Sequence, residues 1–348
     1  MIERNGYMAL IEVNNLCKEY KVYEKKQKTD KLSNKIFGIG RKPVYVNAVE
    51  NINFKIHRGE TVGYIGANGA GKSTTIKMMT GILRPTAGNV QIAGFNPVKE
   101  RIKCVQNIGA VFGQRSQLWW DLPAIDTYKM LKAIYNIPNN VYKSNLNSFI
   151  NILGIEKIIN IPVRHLSLGQ RVQCDIVAAI LHNPKIVFLD EPTIGLDVLV
   201  KERIRNFIKY INKTEKTTVL LTSHDLSDIK IICERIIIID SGNILIDCTM
   251  KEFEKIYLRE NTIKFNFDHS FGEIIKSDLL KLNGINSVIF PEDNLAEVRY
   301  DKYMIDSTYI LKKIVGLSDI QNLKFCESKL DSVVKRLYER NNILYKEQ

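Results

Sequence analysis

Gly66-Ala67-Asn68-Gly69-Ala70-Gly71-Lys72-Ser73 is the stretch whose reading decides the fold. Residues with small or absent side chains let backbone N–H groups curl around phosphate oxygens, while the helix that follows presents the positive end of its dipole. Lys72 adds a mobile charge for the β- and γ-phosphates, and the Ser73 hydroxyl stands where it can ligate Mg²⁺. The candidate nucleotide-binding set is Gly66, Asn68, Gly69, Ala70, Gly71, Lys72, Ser73 and Thr74. The flanks suit such a loop: Glu60-Thr61-Val62-Gly63-Tyr64-Ile65 reads as a short apolar strand, and 73–83 as a helix stopped by Pro85. The expected ligand is a nucleoside triphosphate, ATP first, with Mg²⁺.

Outward from the loop, 9–20 and 44–58 read as strands, from the alternation in Leu10-Ile11-Glu12-Val13 and in 48–54. Between them, 21–43 is a basic insertion. From about 116 to 165 the spacing turns helical, at 128–137 and 143–153, and predicts a helical subdomain inserted into the sheet domain. Continuous apolar runs at 186–189, 219–222 and 236–239 then alternate with helical stretches, which predicts a buried, mixed but mainly parallel sheet in an α/β domain. Beyond about 250 the order is strand 263–267, helix 273–282, strands 286–290 and 295–300, helix 307–316, strand 320–326 and a last helix from about 329 to 340. That β-α-β-β-α-β order is the ferredoxin-like one, so the expected division is a nucleotide-binding domain over 1–250 and a small α+β accessory domain over 251–348.

A second chemical element is Lys185-Ile186-Val187-Phe188-Leu189-Asp190-Glu191-Pro192, an apolar strand delivering two carboxylates at its exit. Asp190 suits the holding of Mg²⁺ through water, and Glu191 the general base that activates a water. A third is Leu166-Ser167-Leu168-Gly169-Gln170-Arg171, shortly before that strand and opening a helix. With the two flanking elements it resembles the signature motif of the ATP-binding cassette (ABC) family, whose usual form has glycine where this chain has Leu168.

The resemblance covers about 9–250. It implies that Ser167, Gly169 and Gln170 contribute to the γ-phosphate of ATP held by another subunit's glycine loop, so that catalysis needs a head-to-tail dimer, either of two copies or with a related ATPase subunit. By the same resemblance Gln114, in Ile108-Gly109-Ala110-Val111-Phe112-Gly113-Gln114, matches the glutamine that senses the Mg²⁺-water site, with one extra residue before it and Gln117 as the alternative. Asp197, in Gly195-Leu196-Asp197, matches the loop that couples the two sites, and His224, in Thr222-Ser223-His224-Asp225, the histidine that contacts the γ-phosphate. Tyr20 is the candidate aromatic that stacks on adenine, with Tyr23 and Tyr45 as rivals. Glu191, His224 and Gln114 are thus the catalytic candidates, and Ser73, Gln114 and Asp190 the metal candidates. The run 112–123 and the Leu168 variant look like the ATPases partnered with ABC-2-type permeases, largely exporters. Trp119 and Trp120 then lie where such ATPases meet their integral membrane subunits, and two adjacent exposed tryptophans suit an interface as well as a core role.

Composition narrows the partners. The chain has 348 residues and a net charge of +12, which favours an anionic partner without choosing among nucleotide, nucleic acid and lipid headgroups. Half of that charge falls in 21–42, read either as a solvated loop or as an anionic contact such as a membrane surface. Six scattered cysteines form no CxxC pair, and no stretch approaches 18 consecutive apolar residues. The expected place is the cytoplasmic face of the cell membrane, peripheral through membrane subunits. A soluble cassette ATPase acting on nucleic acid or ribosomes is the rival reading; nucleic acid is not the expected partner, because no second cassette, long coiled coil or zinc module is visible.

Overall fold

The computed structural model describes residues 9–23, 43–113, 116–223, 225–328 and 330–346. The chain divides into two compact units, through Cys248 and from Thr249. The first unit runs β1 (Ile11–Tyr23), β2 (Pro43–Ile56), β3 (Thr61–Gly66), α1 (Lys72–Met79), β4 (Ala87–Ile92), α2 (Arg101–Val105), β5 (Ile108–Phe112), α3 (Ala124–Ile134), α4 (Asn139–Leu153), α5 (Leu168–Ile180), β6 (Ile186–Asp190), α6 (Val198–Glu215), β7 (Thr218–Thr222), α7 (Leu226–Ile232), β8 (Arg235–Asp240) and β9 (Asn243–Thr249).

Six strands form one sheet in the order β5-β6-β7-β3-β8-β9, and the pairings from β5 through to β8 are parallel. Strands β3, β6 and β7 are buried at every residue, as expected of parallel strands covered on both faces, and their sequences are accordingly continuous apolar runs. Because β7 lies between β6 and β3, the carboxyl ends of these three strands bring Asp190, Thr222 and Gly66 to one edge, where ligands bind in open α/β sheets. A second, antiparallel layer has the order β2-β1-β4. Helix α1 packs against strands of both layers, and its Ile76, Met78 and Met79 are fully buried in the core they share with Ile11, Ile56, Tyr64, Phe188 and Ile237. The helix that carries Lys72 and Ser73 is therefore clamped between two sheets.

Several predicted boundaries are corrected. The helix after the glycine loop ends at Met79, not near Leu83, because Gly81 takes a left-handed φ of 70° and donates its N–H back to Met78. Helix α3 starts four residues earlier than expected, directly after Pro123, and α4 starts after Pro138 and ends at Gly154, whose φ is 66°. Strands β1 and β2 continue into the expected insertion as a two-stranded ribbon pairing Tyr20 with Val46 and Tyr23 with Pro43. The remainder of the insertion, 24–42, lies outside the described residues. Helix α5 approaches β5 closely: a Cβ on Gly109 would stand 2.3 Å from the Ala179 carbonyl oxygen.

The second unit runs α8 (Met250–Tyr257), β10 (Glu260–Phe267), α9 (Gly272–Leu280), β11 (Ile285–Glu292), β12 (Leu295–Asp301), α10 (Ser307–Val315), β13 (Ile320–Cys326) and α11 (Leu330–Lys346). Its four strands form an antiparallel sheet in the order β11-β12-β10-β13, the ferredoxin-like arrangement. Alternate residues Ile263, Phe265 and Phe267 of β10 and Val298 and Tyr300 of β12 bury one face against Ile275 and Leu279 of α9 and Ile310 and Ile314 of α10. On the other face Lys264 and Glu297 pair across the strands. Helix α8 was not anticipated. Thr249 and Glu252 form a capping box at its start, a pattern readable from the sequence. Among the described residues, no helix is long and apolar enough to cross a membrane.

His182, just beyond α5, supplies a test of this packing. Its Nε2 donates to the Ile108 carbonyl oxygen at 3.0 Å, its ring stacks on Tyr135 at 3.9 Å, and its Nδ1 has no hydrogen-bond partner among the described residues. Burial pushes its pKa down to about 4, with the Ile108 carbonyl opposing. A histidine depressed in the folded state contributes stability that is present above its unfolded value of about 6.5 and lost as pH falls towards 4. Between pH 7 and pH 4 the parent should lose about 3 kcal/mol more unfolding free energy than His182→Phe. Parallel urea-melt stabilities across that range would count against the account.

Candidate active site

The glycine loop leaves β3 at Gly66 and enters α1 at Lys72. Gly71 has φ 104°, and a Cβ there would meet the Ala48 carbonyl oxygen at 2.4 Å, so β2 presses on the loop where only glycine fits. Gly69, at φ 84°, has no heavy atom within 4 Å of its would-be Cβ and faces open space. Ala67, Asn68 and Gly69 are exposed while Ala70, Gly71 and Lys72 are buried. The loop is braced from behind: Ala70 N–H donates to Ala67 O, Gly242 N–H to Ala70 O, and Glu50 N–H to Gly242 O. The first-turn amides of α1 lack intrahelical acceptors by construction, which leaves them available to an anion.

Lys72 is 6% exposed, and its Nζ donates to the Gly66 and Ala67 carbonyl oxygens at 2.6 and 3.0 Å. Burial pushes its pKa below the usual lysine value, while the Glu191 and Asp190 carboxylates pull it back up. An ammonium held in this way lies against the phosphate cradle, in the field of both acids.

Asp190 ties the ends of β6 and β7 to the start of α1. Its Oδ1 accepts from the Thr222 hydroxyl at 2.6 Å and its Oδ2 from the Ser73 hydroxyl at 3.0 Å. Hard oxygen donors converging at the mouth of a phosphate loop fit Mg²⁺, which Ser73 and Asp190 could hold, directly or through water. The next residue, Glu191, adopts a left-handed backbone with φ 55°, and its N–H is shared between the Thr222 carbonyl and hydroxyl oxygens at 3.1 and 3.0 Å. A left-handed glutamate costs free energy and persists only where its surroundings impose it.

Ser167 is exposed and caps α5. Its hydroxyl accepts from Gln170 N–H at 3.3 Å and the Gln170 side chain accepts from Ser167 N–H at 2.9 Å. Leu168 lies beside Gly195, whose would-be Cβ would meet its side chain at 3.5 Å, and Gly169 lies beside Val200. Asp197 is exposed and caps α6, accepting from Val200 N–H at 2.9 Å. Tyr20, 38% exposed, stands on the β1–β2 ribbon opposite Val46, with Lys18 over its ring. Thr74 is half-buried in α1. Gln114 and His224 lie outside the described residues.

The structure thus brings Lys72, Ser73, Asp190 and Glu191 together and holds Ser167, Gln170 and Asp197 at two helix starts. Sequence reasoning missed Thr222 as a partner of Asp190. It also missed Asp228, fully buried in α7, which accepts from the Thr193 hydroxyl and pairs with Arg205, anchoring the turn after Glu191 to α7. A third omission is Asp175 in α5. Burial pushes this carboxyl up to about 6, against hydrogen bonds from Gln117 and Ser116 and the nearby Arg171 charge. The only available signal was an acid on the apolar face of a helix.

The ABC transporter family model matches residues 49–194. NatA, an ABC transporter ATP-binding protein of Bacillus subtilis (strain 168), is 31% identical over 222 residues, 64% of this chain and 89% of NatA. The bacitracin transport ATP-binding protein BcrA of Bacillus licheniformis is 30% identical over 214 residues, 60% of this chain and 67% of BcrA. Among solved structures, the ATP-binding cassette MJ0796, a dimer in a post-hydrolysis state with ADP and phosphate, aligns at a TM-score of 0.58 and 25% identity, covering 69% of this chain and 98% of that one. With the glycine loop, the carboxylate strand and the signature helix in place, the chain belongs to the ATP-binding subunits of ABC transporters, a family of ATPases.

Proposed function

We propose that this ATPase works as one of two cassettes closing around two ATP molecules, and that the cycle drives separate ABC-2-type membrane subunits in the direction of export. The observation that carries the hydrolytic half is the Asp190 carboxylate joined to Ser73 and Thr222, with Glu191 held beside it by the same Thr222. Lys72, Ser73 and the loop amides bind and orient the phosphates, and Glu191 takes the proton of the attacking water. Ser73 and Asp190, with Gln114, would hold Mg²⁺, which when bound would neutralise phosphate charge. Ser167 and Gly169, with Gln170 behind them, serve the ATP on the other cassette's loop; Asp197 and His224 couple and sense the two sites. Tyr20 offers its ring to adenine.

Closure on ATP is then the power stroke, and loss of phosphate after hydrolysis returns the open state. Exposure of Trp119 and Trp120, at 50% and 52%, supports a docking role for the segment that carries them. The Leu168 variant and the likeness to BcrA, a bacitracin transport protein, support the export reading. The chain then sits on the cytoplasmic face of the membrane, held through its membrane subunits, and copurification with integral membrane proteins tests that placement. Salt-sensitive binding of RNA or DNA without such a partner would instead favour a soluble cassette.

Glu191→Gln should bind ATP and hydrolyse it at least about a hundredfold more slowly, as expected for loss of a general base. Turnover near the parent's would refute the assignment. Lys72→Ala should lose nucleotide binding or hydrolysis, read by binding of a fluorescent ATP analogue and by phosphate release; unchanged values in both would remove the loop from the mechanism. Mixing Lys72→Ala with Ser167→Arg, each inactive alone, should restore turnover to about a quarter of the parent's if two copies pair head to tail, since half the dimers then hold one intact site of two. No recovery on mixing would leave a related subunit as the partner.

A further inference from the structure

Residues 116–122 are tied at several points to one element. The Asp175 Oδ1 accepts from the Ser116 hydroxyl at 3.0 Å and from Gln117 N–H at 2.9 Å, and Gln117 Nε2 donates to the Asp175 carbonyl oxygen at 2.9 Å. One helical turn earlier, the Arg171 guanidinium lies 5.3 Å from the centre of the Trp120 ring. Before the helix begins, Arg164 N–H donates to Trp120 O, its side chain pairs with Asp121 at 2.8 Å, and Val163 N–H donates to Leu122 O. All of these partners belong to α5 or to the turn leading into it, while one long bond, from Trp119 N–H to the Thr127 hydroxyl at 3.5 Å, runs to α3; Ser167 is the residue that caps the start of α5. Arg171 N–H closes that first turn on Ser167 O.

Asp175 is 4% exposed. Burying a carboxyl beneath a surface segment is costly unless its oxygens are well used, and here one oxygen accepts two bonds from successive residues of that segment. The arrangement joins the exposed tryptophans to the signature serine through one rigid helix. We propose that Asp175, assisted by Arg171, is a positioning residue that locks residues 116–120 to α5, so that Trp119 and Trp120 move with Ser167 as one body. A membrane subunit pressing on the tryptophans then displaces the serine directly, and ATP drawing in the serine displaces the tryptophans. The inference rests on the proposed function for its use of ATP, but the lock itself does not.

The chain has two tryptophans and 15 tyrosines, so emission of the whole chain excited at the red edge, where tyrosine does not absorb, reads this segment alone. Without nucleotide, Asp175→Ala should raise the acrylamide quenching constant at least about 1.5-fold as the segment loosens. Asp175→Asn should match the parent, because its amide oxygen can accept the same two bonds. Arg171→Met, which removes only the guanidinium over Trp120, should also raise quenching and serves if Asp175→Ala does not fold by circular dichroism. In a Glu191→Gln background, Mg-ATP should shift the tryptophan emission. With Asp175→Ala added, a fluorescent ATP analogue should bind within about twofold of the background variant's affinity while the shift is lost, and Asp175→Asn should keep it. Three results would overturn the lock: parent-like quenching in both loosening variants, a shift that survives Asp175→Ala, or bound ATP with no shift in the Glu191→Gln protein. Failure to bind the analogue at all would sink the proposed function, and the nucleotide-free comparison would still decide the lock.

Discussion

The Asp190 carboxylate, shared between the hydroxyls of Ser73 and Thr222, is the interaction on which the arrangement of the site depends. It joins an α1 residue to the ends of two parallel strands, and it can do so only because β7 lies between β6 and β3. Strand order is therefore part of the chemistry. A carboxylate reaching a helix across one intervening strand needs a polar residue at the end of that strand, and Thr222 fills the position.

The same constraint explains why the core is built around α1. A helix that must present Lys72 and Ser73 at fixed depth is held on both sides, by β3 and β6 of one sheet and by β2 and β4 of the other. Full burial of Ile76, Met78 and Met79 leaves this short helix little room to shift, and the Gly71–Ala48 approach sets how near the antiparallel layer comes. Packing far from the phosphates thus determines where the phosphates can lie.

Much of this was legible in the sequence, for physical reasons that differ by element. Buried parallel strands read as apolar runs, so β6, β7 and β8 were plain, and the glycine loop follows from backbone geometry that few other residues allow. The antiparallel sheet of the second unit was visible in the alternation of Ile263, Phe265 and Phe267. What stayed hidden were partners joined by topology. Thr222 is one threonine at a strand end until Asp190 is placed beside it, and Asp175 looks like an acid misplaced on an apolar helix face until the 116–118 backbone meets it. The end of α1 was overlooked because Pro85 is the louder stop signal than Gly81. The paired extension of β1 and β2 carries its own alternation, in Tyr20, Val22, Val44 and Val46, which the surrounding lysines obscured.

Glu191 holds a backbone conformation that glutamate does not choose, and the bonds that impose it come from Thr222 on the neighbouring strand. What the position can do and where it stands are therefore written on different strands. Changes in β7 can misaim an intact carboxylate, and changes at the carboxylate leave its cradle as it was. Function and placement in this site are free to drift separately, and either alone suffices to silence it.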